Sequence, residues 1–159
     1  MDTVKIAGFE NRYASAFASL NYEWIKDSYE VEQHDRELLD HPHEHIIVPG
    51  GEIFFAIVND EVVGAVALIN ISDGSFELAK MAVSPSARNK GIGRLLIESC
   101  IAHAAQLGKE EIVLESNTRQ EAAVNLYRSI GFQETPLDPN SHYSRANIRM
   151  RLAILNSKL

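Results

Sequence analysis

The sequence predicts an α/β fold: a mixed, mostly antiparallel central sheet of about seven strands, flanked by about four helices. Three observations carry this. Apolar residues recur at helical spacing up to residue 40, alternate at strand spacing from 53 to 83, and then switch back and forth between the two. Turn residues mark each switch, as at Pro49-Gly50-Gly51 and Ser72-Asp73-Gly74. Three strands stand consecutively, which favours an antiparallel meander over parallel βαβ repeats.

Residues 3–8 (TVKIAG) suit a short strand. Over 10–29, Phe17, Leu20, Trp24 and Ile25 fall at helical spacing, and a second helical piece over 31–40 ends near Pro42. IFFAIV (53–58) and VVGAVALIN (62–70), joined through Asn59-Asp60, form a hairpin, and SFELAKMAV (75–83) extends it. Gly64 inside a strand signals a bulge or a close backbone approach. The strongest helix runs over 91–107, with Ile92, Leu95, Leu96, Cys100 and Leu107 along one face and Gly108 as its stop. EEIVLES (110–116) is a strand. Thr118 and Glu121 have capping-box spacing for a helix that ends at Ile130 before Gly131. Strands over 132–135 and 147–155 complete the set. No linker composition divides the chain, so residues 1–159 are expected to form one domain.

Composition narrows the function. The 159 residues are 45% hydrophobic and 23% charged, ordinary for a globular protein with a core. A formal net charge of -7 argues against a general nucleic-acid binder. One cysteine, Cys100, excludes a disulfide framework or a cysteine-built zinc site within the chain. No apolar run reaches the roughly 18 residues of a membrane helix, and the N-terminus carries no signal-peptide pattern. A cytoplasmic protein with neither nucleic-acid nor membrane partners is expected.

The stretch SARNKGIGRLLIESC (86–100) carries the chemistry. It joins a strand to a helix, and a helix N-terminus presents unpaired N–H groups with partial positive charge. Glycines let an anion approach that backbone, and Arg88 and Lys90 add charge at the rim. A P-loop is excluded because Lys90 precedes the glycine pair. A dinucleotide fingerprint is disfavoured by Leu96 where a small residue belongs. The pattern R/Q-x-x-G-x-G/A fits throughout, as Arg88-Asn89-Lys90-Gly91-Ile92-Gly93.

With ELAKMAV before this loop, and IVLESN and NLYRSIGF after it, the chain resembles the GNAT superfamily of acetyl-CoA-dependent N-acetyltransferases over nearly its whole length. The resemblance implies that Arg88, Asn89, Lys90, Gly91, Ile92, Gly93 and Arg94 bind the pyrophosphate of coenzyme A. It implies main-chain hydrogen bonds from Met81, Ala82 and Val83 to the pantetheine arm, with cofactor contacts from Asn117 and Asn125. Tyr127, in L-Y-x-x-x-G-F, would protonate the leaving sulfur, and Glu77 would deprotonate the acceptor. Trp24, Glu32, Tyr143 and Arg145 are expected to border the acceptor, with Arg145 able to hold a substrate carboxylate bidentately. Cys100 lies on the apolar stripe of its helix, so a buried structural thiol and direct transfer in a ternary complex are expected. The tract His41-Pro42-His43-Glu44-His45 has alternate imidazoles but no cysteine to reinforce it, and reads as a polar loop, not a metal site. The acceptor is expected to be a primary amine of a small molecule; a protein N-terminus or lysine, or a non-catalytic acyl-CoA sensor, are the alternatives. A tendency to form homodimers also follows from the resemblance.

Overall fold

A computed structural model describes residues 3–141 and 144–154. Seven strands form one sheet: β1 (Lys5–Ala7), β2 (Glu52–Val58), β3 (Glu61–Ser72), β4 (Ser75–Val83), β5 (Glu111–Ser116), β6 (Gln133–Thr135) and β7 (Ile148–Ala153). Their spatial order is β1-β2-β3-β4-β5-β7-β6, and β4 with β5 is the parallel pair. Parallel neighbours need a crossover, which α3 (Ile92–Gln106) supplies. The remaining helices are α1 (Ala14–Ser28), α2 (Gln33–Asp40) and α4 (Glu121–Ile130).

Strand alternation divides the core between the two faces. Phe76, Leu78, Ile112 and Leu114 pack with Leu96, Ile97 and Cys100 of α3. Ile53, Phe55, Ala65 and Ala67 pack with Phe17, Ile25 and Leu38 of α1 and α2. The β2–β3 hairpin turns at Asn59 and Asp60, whose φ values of 51° and 63° match a type I′ turn and its handed twist. Gly64 serves both purposes expected of it. The β2–β3 register slips beside it, and an added Cβ would stand 3.1 Å from Ile92 and 3.2 Å from Leu96.

Three expectations change in detail. The first helix begins as a short 3-10 turn over Asn11–Tyr13 before α1. Thr118 does not cap α4; Gln120 precedes its first residue, while the Thr118 amide donates to Asn147 Oδ1 at 2.9 Å. The capping box belongs to α2, where Glu32 and Asp35 bond each other's backbone amides. The histidine tract coils into a helical turn over His43–Ile47, so its imidazoles do not alternate along an extended strand. Among the described residues, no group of three or more His, Cys, Asp or Glu side chains is placed to hold a metal. No described helix is long and apolar enough to cross a membrane.

Gly51 shows how tightly the α2 side is closed onto the sheet. A Cβ there would collide with the Leu68 carbonyl oxygen and lie 2.6 Å from that of Ile46. At Gly8 a Cβ would meet the Glu52 carboxylate at an ordinary 3.5 Å. Gly51→Ala should therefore destabilise the fold by about 1–3 kcal/mol, and Gly8→Ala by less than about 0.5 kcal/mol. Urea unfolding of both variants checks this; equal midpoints would contradict it.

Candidate active site

The site exists because the sheet splits. β4 and β5 pair over three residues, Ser75 with Glu111, Phe76 with Ile112 and Glu77 with Val113. Past Glu77 both strands continue, but apart. The cause lies in β4. Its pairing with β3 slips so that Lys80 and Met81 together oppose Val66, and Lys80 adopts a left-handed φ of 55°. Such a bulge bends a strand and re-aims its side chains. A cavity of about 590 Å³ opens in the wedge. It passes from the α3–α4 face, where Tyr127 and Leu126 line it, to the α1–α2 face, where Trp24 and Tyr29 do.

At one end stands the glycine loop. Asn89 and Gly91 both take left-handed φ values, 62° and 76°, which turn the chain sharply into α3. The Leu95 amide is the first to reach back, to Gly91 O at 3.2 Å. The N–H groups of Ile92, Gly93 and Arg94 before it have no acceptor within the helix, so the helix end is built for an anion. Arg88, held by a 3.2 Å bond from Nε to Val83 O, lines the cavity with Asn89, Gly91, Ile92, Gly93 and Arg94. Lys90 is exposed and stands outside this lining. Gly93 allows α4 to close in, since a Cβ would lie 3.1 Å from Leu126. Arg94 ties the two helices through Ser129 Oγ at 2.7 Å.

In the middle, Met81, Ala82 and Val83 present the edge of β4 that β5 has left. Their free main-chain groups can pair with an extended amide chain as a missing strand would. Tyr127 is 7% exposed and lines the wall. Burial raises its pKa well above the ordinary tyrosine value, so it stays protonated. Cys100 has no exposed surface, and burial first, with the charge of Glu52, pushes its thiol up. It is a core residue, not a nucleophile. Asn117 lines the cavity, but its amide is engaged, donating to Arg145 O at 2.7 Å and accepting from the Arg119 amide at 2.8 Å. Asn125 is exposed on α4, away from the cavity.

The other end joins Glu77 with residues that sequence reasoning passed over. Glu77 pairs with Ile69 and Val113 in register, so it and Glu115 share the α1–α2 face. Trp24 and Tyr29 meet edge-to-face, 6.1 Å between centroids. Behind them lies Asp35, fully buried. Arg145 donates to its two oxygens at 2.7 and 3.0 Å, Lys80 Nζ bonds Oδ1, and the Glu32 amide donates to Oδ2 at 2.8 Å. Arg145 also reaches Glu32 Oε2 at 2.9 Å. The expected grip of Arg145 on a substrate carboxylate thus meets a guanidinium already forked onto Asp35. Glu32 is that guanidinium's partner and stands outside the cavity lining. Tyr143 lies outside the described residues.

Burial alone would raise the Asp35 carboxyl, but hydrogen bonds from Arg145 and Lys80, with the Lys80 charge, hold it far below the usual carboxylate range. A carboxyl depressed on folding stabilises the protein above its unfolded pKa, about 3.9, and that contribution is lost as pH falls toward its folded value. Asp35→Asn would take the carboxylate from the buried Lys80 and leave Arg145 with Glu32 alone, and should cost about 3–5 kcal/mol. It should also remove this part of the acid dependence below about pH 4. Urea unfolding from pH 3 to 7 tests both; a variant as stable as the parent would show the cluster to be dispensable.

Comparison with known proteins agrees with the geometry. Residues 18–132 match the family model described as the acetyltransferase (GNAT) family. Rat N-acetyltransferase 8F1 is 32% identical over 90 residues, 54% of this chain and 41% of its own length. The chain thus spans about two fifths of that relative. The uncharacterized N-acetyltransferase YvbK of Bacillus subtilis is 28% identical over 110 residues, 67% of this chain and 71% of its own. An acetyltransferase of the GNAT family from Staphylococcus aureus superposes with a TM-score of 0.87 at 20% identity, covering 96% of this chain and 100% of the other. The Salmonella typhimurium protein yncA, solved with its cofactor acetyl-CoA, gives 0.75 at 18% identity, covering 99% and 97%. Spermidine N-acetyltransferase from Vibrio cholerae, solved with CoA and spermine, gives 0.72 at 22%, covering 95% of each. With a split sheet, an anion-ready helix end and this match over most of its length, the chain belongs to the GNAT family of acetyltransferases.

Proposed function

We propose that the protein transfers the acetyl group of acetyl-CoA to a primary amine of a small molecule, directly, with both substrates bound at once. The observation that carries this reading is the cavity that passes through the split sheet, with an anion-ready end, an open strand edge and a carboxylate-bearing end in one continuous space. The parts fit the cofactor. The N-terminus of α3, with Arg88 and the loop backbone, suits the pyrophosphate, and the edge of Met81–Val83 suits the amide-containing arm.

Acetyl-CoA, when bound, supplies an activated acyl carbonyl and a thiol leaving group. The residues of this chain do the rest. Main-chain N–H groups along β4 face the charge that develops on an acyl oxygen. The Tyr127 hydroxyl, kept protonated by burial, holds the proton that a departing thiolate needs. Glu77, on the opposite face, takes a proton from the acceptor's ammonium group, so that the neutral amine can attack. No acyl-enzyme is required, and the buried Cys100 is not placed to form one. The aromatic walls of Trp24 and Tyr29 enclose the acceptor end and suit a small amine.

The reading is tested by following free-thiol release from acetyl-CoA across amino acids, polyamines, aminoglycosides and short peptides. Release with a small amine is expected; release with peptides alone would move the acceptor to protein. Tyr127→Phe should lower kcat about 10²-fold or more. Its unfolding midpoint should barely move, because the change removes one oxygen at the cavity wall and leaves the ring packed against Phe132. Glu77→Gln should flatten the acidic limb of the pH profile of kcat/KM; an unchanged profile would remove Glu77 as the base.

A further inference from the structure

One cation at the acceptor end stands without a counter-charge. Two guanidinium groups lie over the Tyr29 ring, Arg145 at 5.5 Å and Arg119 at 5.3 Å from its centroid, and Tyr29 lines the cavity. The first is neutralised, because Arg145 and Lys80 face Asp35 and Glu32, two positive charges against two negative. Arg119 is not. Among the described residues its side chain forms no ion pair and no hydrogen bond, and its contact is with the Tyr29 ring.

Its place is fixed all the same. The Arg119 amide donates to Asn117 Oδ1 at 2.8 Å, and Asn117 donates to Arg145 O at 2.7 Å. The loop with one guanidinium is thus tied to the segment with the other. Asn117 and Gln120 line the cavity, while Arg119 between them is exposed at its rim. A guanidinium lying over an aromatic ring keeps the N–H donors of its fork available, and that fork matches a carboxylate bidentately. Two like charges on one ring repel each other, and a ligand anion beside Arg119 relieves that repulsion. The carboxylates of this wall do not fill the role. Glu77 is the group that the acceptor's ammonium meets, and Glu115 Oε2 is closed off inside the protein.

We infer that Arg119 binds a carboxylate of the acceptor, and that the acceptor is an amine carrying that carboxylate, of the amino-acid kind. The carboxylate grip expected of Arg145 passes to the neighbouring guanidinium that the protein leaves unpaired. This rests on the acetyl-transfer reading for its consequence in turnover, but the binding itself can be measured separately. Arg119 acts here as a specificity-determining residue; the proton transfers stay with Glu77 and Tyr127.

Trp24 is the single tryptophan of the chain and meets Tyr29 edge-to-face, so its emission reports this end of the cavity. The experiment titrates three pairs of amines into the CoA-saturated protein: L-lysine with 1,5-diaminopentane, L-methionine with L-methioninamide, and 4-aminobutanoate with 4-aminobutanamide. The first member of each pair has a carboxylate that the second lacks. The parent is compared with Arg119→Gln and Arg119→Lys, and unfolding midpoints are measured alongside. Thiol release from acetyl-CoA is followed with the same amines. In at least one pair the acid should bind at least tenfold more tightly than its partner. Arg119→Gln should weaken that acid at least tenfold and leave both the partner compound and the KM for acetyl-CoA unchanged, a selectivity that a merely structural role would not produce. Arg119→Lys, which keeps the charge without the fork, should retain part of the preference. No acid bound, no acid preferred in any pair, or a preference that survives Arg119→Gln would each overturn the inference while leaving acetyl transfer to stand or fall on thiol release. Arg119-dependent binding of an acid without thiol release would instead uphold the subsite and defeat the transfer reading.

Discussion

One buried carboxylate organises the working end of this molecule. Asp35 comes from α2, Lys80 from the bulge in β4, and Arg145 from the segment before β7, so three distant parts of the chain meet on two oxygen atoms. Charges removed from water repay their desolvation only when every hydrogen-bonding position is filled. Here the carboxylate receives Lys80, two Arg145 nitrogens and the Glu32 amide, while Arg145 also holds Glu32. The bulge needs such an anchor. Lys80 is not a glycine, and its left-handed backbone is costly without a partner to fix it. Because the bulge bends β4 from β5, the ion cluster and the cavity are two aspects of one constraint.

That constraint also separates the tasks of the site. The α3–α4 face carries the helix end and the buried phenol, which on the proposed reaction would meet an anion and a leaving group. The α1–α2 face carries carboxylates and aromatic rings, which on the same proposal would meet an amine. The sheet lies between them and is open only where β4 leaves β5. Each face keeps its own hydrophobic core.

Much of this is legible in the residues. The helix-strand switches, the stops at Gly108 and Gly131, and the R-x-x-G-x-G loop depend on local spacing, which a sequence states directly. What is missed is long-range pairing. Lys80 sits in ELAKMAV where alternation places it with Leu78 on the α3 side, and only a bulge turns it toward Asp35. Asp35 carries no local mark of burial, although Glu32-x-x-Asp35 already has capping-box spacing. Arg145 was legible as a bidentate cation, but not that its fork faces its own chain. Thr118 and Glu121 show the opposite error: local spacing suggested a cap, and the tertiary bond from Thr118 to Asn147 prevailed.

The two outermost strands, β1 and β6, are three residues each. An edge that short offers few unpaired peptide groups to a neighbouring molecule, and the chain carries a net charge of -7 besides. The long open edge of this sheet is therefore internal. It lies on β4 along the cavity, where an extended ligand of the right length can pair with it. The architecture keeps the adhesive part of a β-sheet, which in other settings drives clumping, as a receptor for small extended molecules.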